Sequence, residues 1–101
     1  METVHERTEH ERTVHGRNFK EVKVCFKLID GSLLFIQHKS IDDRYLSVLQ
    51  IMNNGQLGNE TINTNLKENE INSFKEEWEA GWNQESLLSS WNPVWPSVEL
   101  E

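Results

Sequence analysis

The sequence predicts an α+β domain: a small antiparallel sheet built on one β-hairpin (about 20–38), with two amphipathic helices (about 41–53 and 69–84) packed on one face. Three observations lead to this reading. Val22, Val24, Phe26 and Leu28 alternate with Glu21, Lys23, Cys25 and Lys27, the period-2 pattern of a half-buried strand. After Ser40, and again after Glu70, apolar residues recur every three to four positions, as on one face of a helix. A chain of 101 residues, 36% hydrophobic and 27% charged, holds one modest core and is too apolar for full disorder.

The first eighteen residues form a polar unit. His5-Glu6-Arg7, His10-Glu11-Arg12 and His15-Gly16-Arg17 repeat a His, then Arg two later, at a spacing of five. Five residues advance a helix by about 140° and a strand by an odd number of side changes, so neither gathers the histidines on one face. A flexible arm or an edge strand that joins the sheet late is expected here. The hairpin follows: Asp30-Gly31 suits the positive φ angles of a tight turn, and Leu33 to His38 reads as the returning strand.

Ser40-Ile41-Asp42-Asp43 resembles a helix start, with a hydroxyl at the cap and acids facing the positive helix end. Ile41, Tyr45, Val48, Leu49 and Met52 then form an apolar stripe, and Asn54-Gly55 reads as its stop. Residues 56–68 are rich in Asn, Gly and Thr and read as a loop, or as a short polar strand over 60–66. Ile71, Phe74, Trp78 and Trp82 share one face of the second helix, where core packing is their expected fate. Gly81 should weaken its last turn by about 1 kcal/mol relative to Ala. Residues 86–101 form a tail whose Pro93 and Pro96 exclude regular helix or a central strand. The division is thus an arm or edge strand (1–18), a core domain (19–85) and a Trp- and Pro-containing tail (86–101). One hairpin is marginal alone. A further strand from the arm or from residues 60–66 would complete the sheet, and otherwise pairing between two chains would, giving a homodimer.

All of the net charge of −7 falls in the second half of the chain, which carries Glu60, Glu68, Glu70, Glu76, Glu77, Glu79, Glu85, Glu99 and Glu101 against Lys67 and Lys75. All four tryptophans lie there too. An acidic, indole-rich segment repels nucleic acid and suits a basic or apolar protein surface. The leading expectation is a non-enzymatic protein-interaction module, with Trp91, Trp95, Glu76, Glu77 and Glu79 making the contact. In the competing reading, Trp91 and Trp95 fold back over the sheet as a lid. A second function reading is a nucleic-acid-mimicking inhibitor of a DNA- or RNA-binding protein, in which the carboxylates matter more than the indoles. A third is a small-molecule or catalytic site around His38, Asp42 and Tyr45.

Catalytic and metal signals are thin. No glycine-rich phosphate loop, nucleophile elbow or paired-ligand motif occurs, so no catalytic residue, metal or cofactor is expected. His5, His10 and His15 are not preorganised for a metal at their spacing, and Glu6, Glu9 and Glu11 offset Arg7, Arg12 and Arg17 as phosphate ligands. Cys25, the lone cysteine, cannot form an internal disulfide and reads as a small sheet residue. With no apolar run near the roughly 20 residues of a membrane span and a polar start, a cytoplasmic protein without a membrane partner is expected.

Overall fold

The computed structural model describes residues 3–82. Six strands and one α-helix occur among them: β1 (Thr3–Val14), β2 (Arg17–Lys27), β3 (Leu33–Ile41), β4 (Arg44–Asn53), β5 (Gln56–Leu57), β6 (Thr61–Thr64) and α1 (Ile71–Trp82), the helix entered through a 3₁₀ turn at Glu68–Glu70. The strands form one antiparallel sheet in the order β1-β2-β3-β4, with β5 and β6 both pairing along β4. Among the described residues, no helix is long and apolar enough to cross a membrane.

The expectation of two helices on a hairpin sheet is therefore corrected. Residues 41–53, read as the first helix, are the end of β3, a turn and β4. The apolar stripe was illusory because β4 is apolar on both sides. Leu46, Val48 and Met52 point to one face, Tyr45, Leu49 and Ile51 to the other, and together they fill positions at helical spacing as well. The β-branched and aromatic content of the segment favours strand. Asp42 is no helix cap. It sits at φ 53° in the β3–β4 turn, where a short polar side chain tolerates the left-handed region, and its Oδ1 accepts the Asn18 N–H at 3.0 Å.

Turn chemistry sets the register elsewhere. His15-Gly16 (φ 51° and 76°) and Asn54-Gly55 (φ 54° and 79°) each join two strands as two-residue turns with both residues left-handed. Asn54-Gly55, read as a helix stop, is thus a hairpin turn. Between β2 and β3, Asp30 Oδ1 accepts the Ser32 N–H at 3.0 Å and its hydroxyl at 2.6 Å. The histidine-repeat segment contributes β1, an edge strand paired with β2 along its length apart from a bulge between Val4 and Glu6.

Residues facing each other across an antiparallel ladder share a sheet face, so the two faces can be read from the register. One carries Phe19, Glu21, Lys23 and Cys25 of β2, with Phe35, Gln37, Lys39 and Ile41 of β3. Helix α1 packs on this face, against β1, β2 and β3. Its Phe74, Trp78 and Trp82 join Val14, Phe19, Ile41 and Leu46 in the main core, and Trp78 and Trp82 stack at 4.8 Å. Cys25 and Phe35 make a second buried cluster, with Leu33, Met52 and Leu57 packed against it. The other face carries Val22, Val24, Phe26, Leu34, Ile36, His38, Tyr45, Ser47, Leu49 and Ile51.

Candidate functional site: the open face of the sheet

The alternation along β2 suggests that the Val22-Val24-Phe26 side is the one a helix should cover. The structure does the reverse. Helix α1 lies over the side bearing Glu21, Gln37 and Lys39, and all three are buried. Burial of this polar row is offset by mutual contacts: Lys39 Nζ lies 3.7 Å from Glu21 Oε2 and 4.3 Å from the Trp78 ring centroid, and the Gln37 amide donates to Glu21 Oε2 at 3.4 Å. Lys39 is 0% exposed, and its pKa is pushed down to about 8, because burial outweighs the attraction of Glu21.

The opposite, more apolar face is covered by no described element. Ile51 is 46% exposed and Val4 61%, Phe26, Leu34, Ile36 and Leu49 are half-buried, and Val22 and Val24 are buried. At the β4 edge the face deepens into a cleft of about 340 Å³, lined by Leu34, Leu49, Gln50, Ile51, Gly58, Asn59 and Thr61. Its wall exists because the chain between β5 and β6 bows out from β4. The Gly58 N–H donates to the Ile51 carbonyl at 2.8 Å, and the Gln50 side-chain amide donates to the Gly58 carbonyl at 3.1 Å. The lining is mostly hydrocarbon, with Asn59 and Thr61 at the rim.

The same face is polar at its other end. His38 and Ser47 are cross-strand partners, with Nδ1 and Oγ 2.6 Å apart, and the His38 ring stacks on Tyr45 at 5.5 Å. Burial, helped by the charge of Lys20, holds the His38 pKa below the ordinary imidazole value and so favours the neutral ring. Lys20 is itself ion-paired with Glu9 at 2.7 Å. The open face therefore grades from hydrocarbon at Leu34 and Ile51 to hydrogen-bonding groups at His38 and Ser47.

The residues singled out from the sequence are dispersed. Trp91 and Trp95, with the rest of the 86–101 tail, lie outside the described residues. Glu76 is exposed on α1. Glu77 bonds the guanidinium groups of Arg17 and Arg44 (3.2 Å to the latter), which ties the helix to two strand starts. Hydrogen bonding from Arg44, with Arg17 adding to it, keeps its carboxyl below the usual range. Glu79 is half-buried on the Lys39 side. Of the third candidate set, His38 and Tyr45 meet, whereas Asp42 belongs to the turn beside Arg17, 3.8 Å away. His10 is exposed on β1 and His15 in the β1–β2 turn, and no three His, Cys, Asp or Glu residues converge on a metal position among the described residues. Cys25 is buried, and burial pushes its thiol pKa up.

Sequence reasoning passed over Leu34, Leu49 and Ile51. The available signal was β4's two-sided apolar content: the one α-helix among the described residues can cover only one of its sides. Comparison with family models, with curated proteins and with solved structures found no match to this chain.

Proposed function

We propose that this protein is a non-enzymatic protein-interaction module that takes an apolar segment of a partner on the open face of its sheet. One observation carries the reading: the helix packs on the face that holds the Phe19–Ile41–Leu46 core together with Glu21, Gln37 and Lys39, and the opposite face, with the Leu34–Leu49–Ile51 cleft, has no cover among the described residues. The cleft suits one or two aliphatic or aromatic side chains, and the polar rim of Asn59 and Thr61 suits the backbone flanking them. The acidic, indole-bearing second half of the chain adds a further contact in this reading, through Glu76 and through Trp91 and Trp95. The pairing of Glu77 with two arginines weakens the alternative of nucleic-acid charge mimicry, since that carboxylate already has its counter-ions.

The test is selection of peptides from a random display library on the full chain, followed by amide-shift mapping. Apolar peptides that shift Leu34, Leu49, Ile51 and Thr61, and that lose binding to Ile51→Asp while the domain stays folded, support the reading. Selected peptides that map only to α1, or that bind Ile51→Asp undiminished, refute it. A small-molecule site at His38 is the second reading, favoured by the short His38–Ser47 contact and the Tyr45 stack. It requires ligands that raise the melting temperature of the protein and not of His38→Ala.

A further inference from the structure

We infer that β1 is the contact strand of a homodimer, pairing antiparallel with β1 of a second copy about a two-fold axis at Glu9. The sheet has unequal edges. On one side β4 is flanked by strands of two and four residues, whereas β1 runs twelve residues, pairs with β2 alone and leaves its outer backbone groups without a strand partner among the described residues. Long open edges template pairing with another chain unless something discourages it. Charge is the usual deterrent, but a row of one sign repels a copy and a row of mixed sign need not.

Only alternate residues of an edge strand turn N–H and C=O outward, so a two-fold antiparallel pairing of β1 with itself must centre on a residue. Six centres along the charged stretch can be compared. Centring on Glu6, Arg7 or Glu11 sets that residue against its like, and centring on His10 sets Glu9 against Glu11. Centring on Thr8 sets Arg7 against Glu9 and Glu6 against His10. Centring on Glu9 sets Glu6 against Arg12 and Arg7 against Glu11, each twice by symmetry: four Arg–Glu contacts. The single like pair, Glu9 against Glu9, is offset because Lys20 lies 2.7 Å from the Glu9 carboxylate in each copy.

Two structural details favour the same centre. The bulge between Val4 and Glu6 ends the regular edge, and Glu6 to Arg12 is symmetrical about Glu9. Arg12 is held in place by the Trp82 ring, 4.7 Å from its guanidinium carbon, on the α1 side of the sheet where Glu6 also lies. The Arg7–Glu11 contacts fall on the open face. The repeating His-Glu-Arg pattern, which no helix or single strand explains, becomes a self-complementary edge. In the dimer the two sheets are continuous, and both open faces lie on the same side, so the assembly presents a doubled apolar surface.

The test is sedimentation equilibrium of the full chain with charge swaps at the exposed Arg7 and Glu11. The parent protein should approach twice its 11.9 kDa mass as concentration rises. Arg7→Glu and Glu11→Arg should each weaken dimerisation by roughly tenfold or more, since each places like charges at two symmetric positions. The Arg7→Glu/Glu11→Arg double variant should recover dimerisation to within about threefold of the parent, a factor small beside the tenfold step. A protein that stays monomeric to millimolar concentration overturns the proposal. So does a dimer indifferent to the single swaps, or a double variant no better than the singles, which is what the Thr8-centred register or another surface predicts. Near-ultraviolet circular dichroism verifies that each variant is folded.

Discussion

Gly81→Ala is the substitution on which helix propensity and packing disagree in sign. Gly81 is the next-to-last residue of α1, and propensity alone says that Ala should stabilise the helix by up to about 1 kcal/mol. The structure says otherwise. A Cβ at Gly81 would stand 2.5 Å from Phe19 Cε2, 3.0 Å from Cε1 and closer still to Cζ. Carbon atoms settle at roughly 3.5–4.0 Å, so ring or helix must move by about 1 Å or more. Phe19 has little room to do so, being 3% exposed within the cluster of Ile41, Leu46, Trp78 and Trp82. Overpacking of this kind costs about 1–3 kcal/mol. Less the full propensity gain, Gly81→Ala should destabilise by up to about 2 kcal/mol, with about 4–8 °C in Tm for each kcal/mol in a domain of this size. Urea unfolding followed by tryptophan fluorescence measures it. Repeating the substitution in Phe19→Leu, which shortens the facing side chain, should shrink the loss and reveal the coupling. A Gly81→Ala protein as stable as the parent, or more so, would refute the claim that this glycine exists to let the helix approach β2.

Lys39 gives a prediction on pH. Its folded pKa of about 8 lies below the ordinary 10.5, so between those values the unfolded chain binds more protons and stability should climb as pH rises. Lys39→Met should remove that climb, so the gap in urea midpoint between variant and parent should narrow from pH 8 to 10. Glu77 has the opposite linkage. Its lowered pKa means that its contribution is present above the ordinary carboxylate range and lost as pH falls through the folded value. The side chain is 35% exposed, so solvent screening limits the cost of Glu77→Gln to under about 1 kcal/mol, with most of the difference from the parent vanishing in acid. Finally, the Trp78–Trp82 stack, at 4.8 Å and 15° between planes, should give an exciton couplet in circular dichroism that either Trp→Phe substitution abolishes without unfolding the protein.

What the sequence discloses of the fold follows from where one signal has no rival. The turn at Asp30-Gly31 and the apolar spacing of Ile71, Phe74, Trp78 and Trp82 each have a single reading, and β2–β3 pairing and α1 are found at those places. Residues 41–53 have two. A strand with hydrocarbon on both sides places apolar residues at nearly every offset, including three and four, and period alone cannot then separate it from a helix. Asn54-Gly55 was the discriminating detail, because a hairpin turn and a helix stop use the same left-handed residues and only the strand reading makes both of them necessary. For β1 the alternation is polar on both sides, which hides a strand for the converse reason: an outer strand has its backbone pairing but little core to declare itself by.

The candidate site was hidden by a deeper ambiguity. Alternation tells which residues of β2 share a face, and hydropathy then assigns the apolar set to the interior. That assignment assumes that the helix goes to the greasier side. Here α1 is drawn to the other side by Phe19, Ile41 and Leu46 at one end of the sheet and by the Glu77 contacts to Arg17 and Arg44. The polar residues farther along that face, Glu21, Gln37 and Lys39, are then buried as a consequence, at a desolvation cost visible in the depressed Lys39 pKa. A fold selected for stability alone would gain by placing apolar residues at Glu21, Gln37 and Lys39 and a polar one at Ile51. That the chain keeps a buried lysine under the helix and an exposed Ile51 on the opposite face is what one expects if that opposite face is held back for another surface. Exchanging a pair across the sheet tests this directly. Lys39→Met should stabilise the isolated domain at neutral pH, and Ile51→Thr should leave its stability nearly unchanged yet abolish peptide binding. A loss of stability in Ile51→Thr comparable to that of a core truncation, about 2 kcal/mol or more, would show that this face is already covered.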